Sequence, residues 1–316
     1  MSKLEELFMS KLACQATLIE TKETVSDCNL TDFPKRMEPG NVLMCPPTYF
    51  NVESVQNPFM DGKVGTVDKE LAKKQWQDLK EIYTELGCEV KTVEAVENLE
   101  DMVFAANQVL PGIDDNGKLF ALLGEMRHEK RRREVPWYRQ WFLSNGYRVL
   151  TLADGLEANA PVPRFEAQGD AIWHPSRKFL WGGFGSRTDK ESYPIISKLL
   201  NIPIVLLKLA DPRFYHLDTC FCAINEDTVM IFEGAFDAEG LALIKHFFKN
   251  VIAVSEKDAL NFALNAVPIK DNVILQKGSE QTVESLRKYG LNPIEVDTSE
   301  FMKSGGSVFC MKMMVY

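Results

Sequence analysis

The chain has 316 residues, 45% hydrophobic and 26% charged, the balance of a folded globular protein rather than a disordered one. Its 36 basic against 45 acidic side chains give a net charge of −9, so no nucleic-acid partner is expected from a chain this poor in phosphate-gripping charge. No run approaches the roughly 18 apolar residues of a membrane span, and seven cysteines in so long a chain make no secreted disulfide framework, so a cytoplasmic protein with no membrane partner is expected.

In chain order, Leu4, Leu7, Phe8 and Leu12 have the spacing of a short amphipathic helix. Glutamates inside that pattern, and no compact apolar block, make it a poor signal peptide. Residues 1–40 otherwise read as a polar extension ending at Glu38-Pro39-Gly40. A strand is expected at 41–45, then a helix at 68–86, where Ala72, Trp76, Leu79, Ile82, Tyr83 and Leu86 share one face. Gly87 stops it and a strand follows at 88–95.

From there the order strand, strand, helix, strand recurs. It is read at 101–110, 118–124, 136–145 and 148–153, then at 165–174, 179–185, 190–200 and 204–209. It returns at 215–224, 228–232, 238–249 and 251–255, and again at 262–269, 272–276, 281–289 and 293–297. One strand at 307–315 is left over, while the opening strand and helix lack a partner. Joining the two ends completes a fifth unit. The length alone suggests two domains; five units of about 50 residues suggest one closed ring instead. The expected architecture is an α/β propeller of five ββαβ units, with one catalytic domain at 41–316.

Polar residues that interrupt the first strand of each unit are the informative ones. They are Asn107, then Glu166 and Asp170, then His216 and Asp218, then Asn265, then Cys310. In a ring these positions converge, bringing together a thiol, an imidazole and carboxylates: a nucleophile, an acid/base and acceptors for a cation. Each piece has a plainer alternative. Cys310 could be a small buried strand residue, although Gly305 and Gly306 beside it favour close backbone approach. His216 could be a satisfied core histidine, but strand alternation puts it on one face with Asp218. Glu166 to Asp170 could be a polar turn. Arg127 and Arg187 could each fork onto a carboxylate, or sit in surface ion pairs.

Other signals carry nothing. Gly182-Gly183-Phe184-Gly185 lacks the spacing of a dinucleotide fingerprint, and Cys220-Phe221-Cys222 is no zinc or redox pair. His128 with the basic run Lys130 to Arg133 reads as a solvated approach to a helix. No metal site is expected.

Taken together, the motifs resemble the pentein superfamily of guanidine-modifying enzymes, which includes arginine deiminases, dimethylarginine dimethylaminohydrolases, amidinotransferases and arginine dihydrolases. The resemblance runs from about residue 41 to 316. It rests on Met44-Cys45-Pro46-Pro47 with Asn57-Pro58-Phe59-Met60, on Phe104-Ala105-Ala106-Asn107, on Glu166 to Asp170, on Tyr215-His216-Leu217-Asp218-Thr219-Cys220, and on Gly305-Gly306-Ser307 before Cys310. It implies a five-bladed propeller, Cys310 as the nucleophile that attacks the guanidinium carbon, and His216 as the acid/base. Glu166 and Asp218 match the carboxylates that hold the guanidinium. Asp170 stands where a Glu-Gly-Gly-Asp pattern ends, displaced here by one extra residue. Asn57 and Asn107 are further substrate contacts, and Arg127 and Arg187 would take a substrate carboxylate. No cofactor is implied, only a small cationic guanidino substrate, and a homo-oligomer is compatible with it.

Asparagine at 107, where deiminases carry aspartate, points to the arginine dihydrolase branch. That branch gives ornithine, ammonia and carbon dioxide by two rounds of attack. Its usual companion domain is not expected, since six residues follow Cys310. The alternatives within the superfamily are a dimethylarginine hydrolase or deiminase stopping at citrulline, and an amidinotransferase. Outside enzymes of this kind stand a guanidinium-binding module and, disfavoured by a closed ring, a cysteine protease.

Overall fold

The computed structural model describes residues 18–25 and 28–316. The helix expected around Leu4 to Leu12 lies outside the described residues. Among the described residues the fold is mixed α/β, built from five small sheets. They comprise Asn41–Met44, Val90–Thr92 and Met313–Val315; Val109–Ile113, Leu119–Leu123 and Arg148–Leu150; Ala171–Trp173, Leu180–Phe184 and Ile204–Lys208; Phe221–Asn225, Thr228–Ile231 and Asn250–Ala253; and Val267–Ile269, Asn272–Gln276 and Asn292–Val296.

Each sheet pairs antiparallel on one side of its central strand and parallel on the other. The parallel side requires a crossover, and a helix supplies it. The C-terminal strand Met313–Val315 pairs antiparallel with Asn41–Met44, Met313 opposite Leu43 and Val315 opposite Asn41.

The crossover helices follow their sequence cues. Lys69–Glu85 is capped by the Asp68 carboxylate, which accepts from Glu70 N and Leu71 N at 3.1 and 3.0 Å. It buries Ala72, Trp76, Leu79 and Tyr83. The turn at Gly87 has φ +87°, which a side chain would resist. Ala238–Phe247 is capped by Asp237, and Asn201 ends Ser192–Leu200 in the left-handed conformation.

One helix departs from expectation. Glu129–Ser144 begins seven residues before the expected 136, with Pro136 in its interior. Buried Arg131 and Glu134 pin the turn before the proline, and Tyr138 and Phe142 pin the turns after it, so packing holds a helix that propensity would break.

The first strands also depart. Each is short, and its expected N-terminal half is a turn. Glu100–Val103 and Leu217–Thr219 are 3₁₀ turns and Ala167–Asp170 is a single helical turn. His216 therefore immediately precedes a tight turn that contains Asp218, and the two share no strand face. Residues 18–40 are less detached than a polar extension suggests. Leu18–Ile19 adds a parallel strand beside Ile204–Val205, and Val25 and Phe33 are buried in the core. Cys45, Cys88, Cys220, Cys222 and Cys310 are free thiols, whereas Cys28 is disulfide-bonded. No described helix is long and apolar enough to cross a membrane.

Candidate active site

The turns that replace the expected strand ends bring the polar residues together. Asn265, just before Val267–Ile269, organises the segment carrying Cys310. Its Oδ1 accepts from the backbone N–H groups of Ser307 and Cys310, both at 3.1 Å, and its Nδ2 lies 3.1 Å from Cys310 Sγ. On its other side Sγ is 3.3 Å from Asp218 Oδ2. Asp218 Oδ1 is buried without a partner, an acceptor open to a cation.

Charge is concentrated here and poorly solvated. Burial pushes the Cys310 thiol well up, and the neighbouring Asp218 carboxylate adds to this. Burial likewise pushes Asp218 up to about 7. Without a ligand the site therefore favours the protonated thiol, and a docked cation would favour the ionised forms of both groups. Alkylation at Cys310 by iodoacetamide, mapped by peptide mass, should therefore accelerate steadily with pH through 9 in the unliganded protein. A plateau below pH 8 would show a thiolate already formed.

His216 Nε2 lies 2.6 Å from Glu166 Oε2. Arg187 Nη1 donates to the same oxygen at 3.2 Å, and Arg127 N donates to Oε1 at 2.9 Å. Burial alone would raise the Glu166 pKa, but His216 and Arg187 hold its carboxyl well below the usual range. Glu166 therefore serves as a fixed anion behind the imidazole.

Asp170 is placed differently from the expectation that it contacts substrate. Its Oδ1 accepts from Leu217 N at 3.0 Å and its Oδ2 from the Thr188 hydroxyl at 2.7 Å. Both oxygens are used in holding the turn after His216. Asn57 is similarly occupied, accepting from Phe59 N at 3.0 Å and donating to Ser304 O at 3.0 Å. It braces the segment at Gly305. There φ is +86° and an added Cβ would stand 2.7 Å from Asn57. Gly305→Ala should cost about 1–2 kcal/mol of backbone strain and lower turnover with it, read by urea unfolding and initial rates; an unchanged unfolding midpoint would contradict the tight fit.

Arg127 does not reach the cavity, since its Nη1 donates to Ser186 O at 2.7 Å on the exposed surface. Arg131, set aside with the basic run, takes the inner position. It is buried, pairs with Glu134 at 2.9 Å, donates to Phe104 O at 3.0 Å, and approaches Asn107 Oδ1 at 3.4 Å. That approach fixes the Asn107 amide, whose Nδ2 has no partner. A signal for Arg131 was present, because it is four and seven residues before the core positions Val135 and Tyr138. Gln56, Asp101 and Ser304 were missed as well.

Asp101, Asn107, Arg131, Arg187, His216 and Cys310 line one cavity with Gln56, Tyr215 and Ser304. Its volume is about 20 Å³, room for about one water.

Residues 46–316 match the family model described as N,N dimethylarginine dimethylhydrolase, eukaryotic. The chain is 36% identical to the bifunctional arginine dihydrolase/ornithine cyclodeaminase AgrE of Nostoc sp., over 86% of this chain and 37% of that protein. It is 34% identical to the N(G),N(G)-dimethylarginine dimethylaminohydrolase of Mycobacterium tuberculosis, over 86% of this chain and 85% of that one. Among solved structures, the substrate-bound N-terminal domain of ArgZ, an arginine dihydrolase from cyanobacteria, superposes with TM-score 0.80 at 34% identity. That superposition covers 87% of this chain and 97% of that domain. The chain spans about 37% of the length of the two bifunctional relatives.

Proposed function

Because the chain belongs to the N,N-dimethylarginine dimethylaminohydrolase family, we propose that it hydrolyses the guanidinium group of arginine through a covalent adduct on Cys310. On this reading residues 41–316 form one catalytic domain, in which five ββαβ units surround a common axis. The observation that carries the reading is Cys310 Sγ, 3.3 Å from Asp218, lining one cavity with His216, which is backed by Glu166 at 2.6 Å.

A guanidinium is a delocalised cation and a poor electrophile. The open oxygen of Asp218 gives it a charge-assisted acceptor, and Arg131 and Arg187 supply cations for the amino acid's own carboxylate. The docked cation favours the thiolate of Cys310. Attack forms the S–C bond and breaks a C–N bond, and the thiol proton ends on the departing ammonia by way of His216. Water, deprotonated by His216, then displaces the sulfur and leaves citrulline.

Dihydrolysis requires the same carbon to be attacked again. Asn107 is suited to this, because an aspartate would repel the ureido oxygen, whereas the unpartnered Nδ2 can donate to it. In the second round Cys310 expels the second ammonia and leaves a thiocarbamate. Its hydrolysis gives a carbamic acid that breaks down to ornithine and carbon dioxide. Glu166, Asp170 and Asn57 position this machinery.

The second reading is hydrolysis of dimethylarginine ending at citrulline, favoured by the family match over residues 46–316. Asn107→Asp should shift the product of arginine turnover from ornithine to citrulline by blocking the second round, as read by mass spectrometry. Unchanged ornithine formation would remove Asn107 from that role. Intact-protein mass during turnover should show Cys310 carrying arginine less one ammonia; a persistently unmodified cysteine would oppose covalent catalysis.

A further inference from the structure

A second and much larger cavity, of about 660 Å³, lies away from the residues just described. This is within the range of small-molecule sites. Its walls are apolar, with Ile172, Trp173, Ile224, Val267, Phe309 and Met314 among them. Two buried polar side chains interrupt this surface. Lys312 is 1% exposed and Gln168 is 7% exposed, and both face the cavity.

Among the described residues neither the Lys312 ammonium nor the Gln168 carboxamide has a hydrogen-bond partner. The ammonium rests 3.3 Å from the centroid of the Phe309 ring, a contact that offsets only part of the cost of removing an ion from water. Burial accordingly pushes the Lys312 pKa down to about 7. The cavity's other charges are Arg36, Glu38, Glu226 and Lys270. Arg36 is paired with Glu38, and Glu226 is 2.5 Å from Arg177.

We propose that this cavity is a binding site for a small molecule with one carboxylate and a flat apolar body. The carboxylate sits on Lys312 and accepts from Gln168. The body lies among Trp173, Phe309 and Met314. A single buried ammonium suits a monoanion, and the Gln168 amide in the same cavity is a further donor for it. The walls of the two cavities are linked, since Lys312 is two residues from Cys310 and Gln168 lies between Glu166 and Asp170. The charge of Lys312 acts on Asp218, so an anion on Lys312 reaches the reacting groups electrostatically. Binding itself requires no turnover and is independent of the catalytic reading.

The test is calorimetric titration of phenylacetate into the whole protein and into Lys312→Met, with 2-phenylethanol and phenethylamine as neutral and cationic probes. Saturable 1:1 binding of phenylacetate is expected, weakened by about tenfold or more in Lys312→Met and by a similar factor for the neutral probe. Equal affinity in the two proteins, equal affinity for the neutral probe, or no saturation overturns the proposal. Crystals grown with phenylacetate supply an arm that needs no variant. Density between Lys312 and Trp173 supports the site, and density only at Arg131 and Arg187, or nowhere, overturns it.

Discussion

Cys310→Ser is expected to lower arginine turnover by roughly four to six orders of magnitude, the scale seen when a covalent nucleophile is removed, while arginine still binds. The reasoning is local. Serine at 310 keeps the backbone N–H that donates to Asn265 at 3.1 Å and fits the space of the thiol. Asp218, Asn107, Arg131 and Arg187 are untouched, so the groups that would hold the two ends of the substrate remain. What is lost is a nucleophile that can reach its anionic form beside a cation. A serine hydroxyl has no such access, and His216 is engaged with Glu166 at 2.6 Å. Initial rates and titration of L-arginine check both halves. Residual turnover within tenfold of the wild-type rate would move the nucleophile elsewhere in the chain.

The largest structural loss is expected from Arg131→Leu. Arg131 is 5% exposed and Glu134 1% exposed, with the Glu134 carboxylate receiving Arg131 Nε at 2.9 Å and Gln108 Nε2 at 2.6 Å. Removing one partner leaves an uncompensated buried charge, which typically costs about 3–5 kcal/mol. Burial already pushes Glu134 up to about 7 despite Arg131. A carboxyl whose folded pKa is raised favours the native state less as pH climbs from the unfolded value toward the folded one. Without Arg131 that folded value rises further, so the stability loss should be greater at pH 8 than at pH 5, where the carboxyl takes up a proton. Urea unfolding at both pH values reads this. Arg131→Leu combined with Glu134→Leu should recover most of the stability at pH 8. A loss independent of pH, or no recovery in the double variant, would show that Arg131 acts through packing alone.

The repeating order of strands and helices was legible because each element answers to a local cause. The face of Ala72, Trp76, Leu79 and Tyr83, with Asp68 before it and Gly87 after it, is enough to place one helix. Turns within the first strands were not legible in this way. His216-Leu217-Asp218 alternates like a strand, and only the long-range bond from Leu217 N to Asp170, 47 residues away, shows why it is a turn. The cysteine, the histidine and the carboxylates were found as polar interruptions, yet their division of labour was not. Asp170 and Glu166 are carboxylates of one short sequence motif, and their different settings come from the Thr188 hydroxyl on the Asp170 carboxylate and the Arg187 and His216 side chains on that of Glu166. Arg131 was hidden for a related reason. In a run of four basic residues charge suggests solvent, and only the pairing with Glu134 and the 3,4 spacing to Val135 and Tyr138 separates it from Arg132 and Arg133.

The central claim is double hydrolysis of arginine at Cys310. Its most direct test is the stoichiometry of the wild-type reaction with L-arginine, following ornithine, citrulline and ammonia together by mass spectrometry and an ammonia assay, with dimethylarginine as a parallel substrate. Ornithine with two ammonia released per arginine consumed is the expected result. Citrulline as the final product, with one ammonia from arginine or dimethylamine from dimethylarginine, would contradict dihydrolysis.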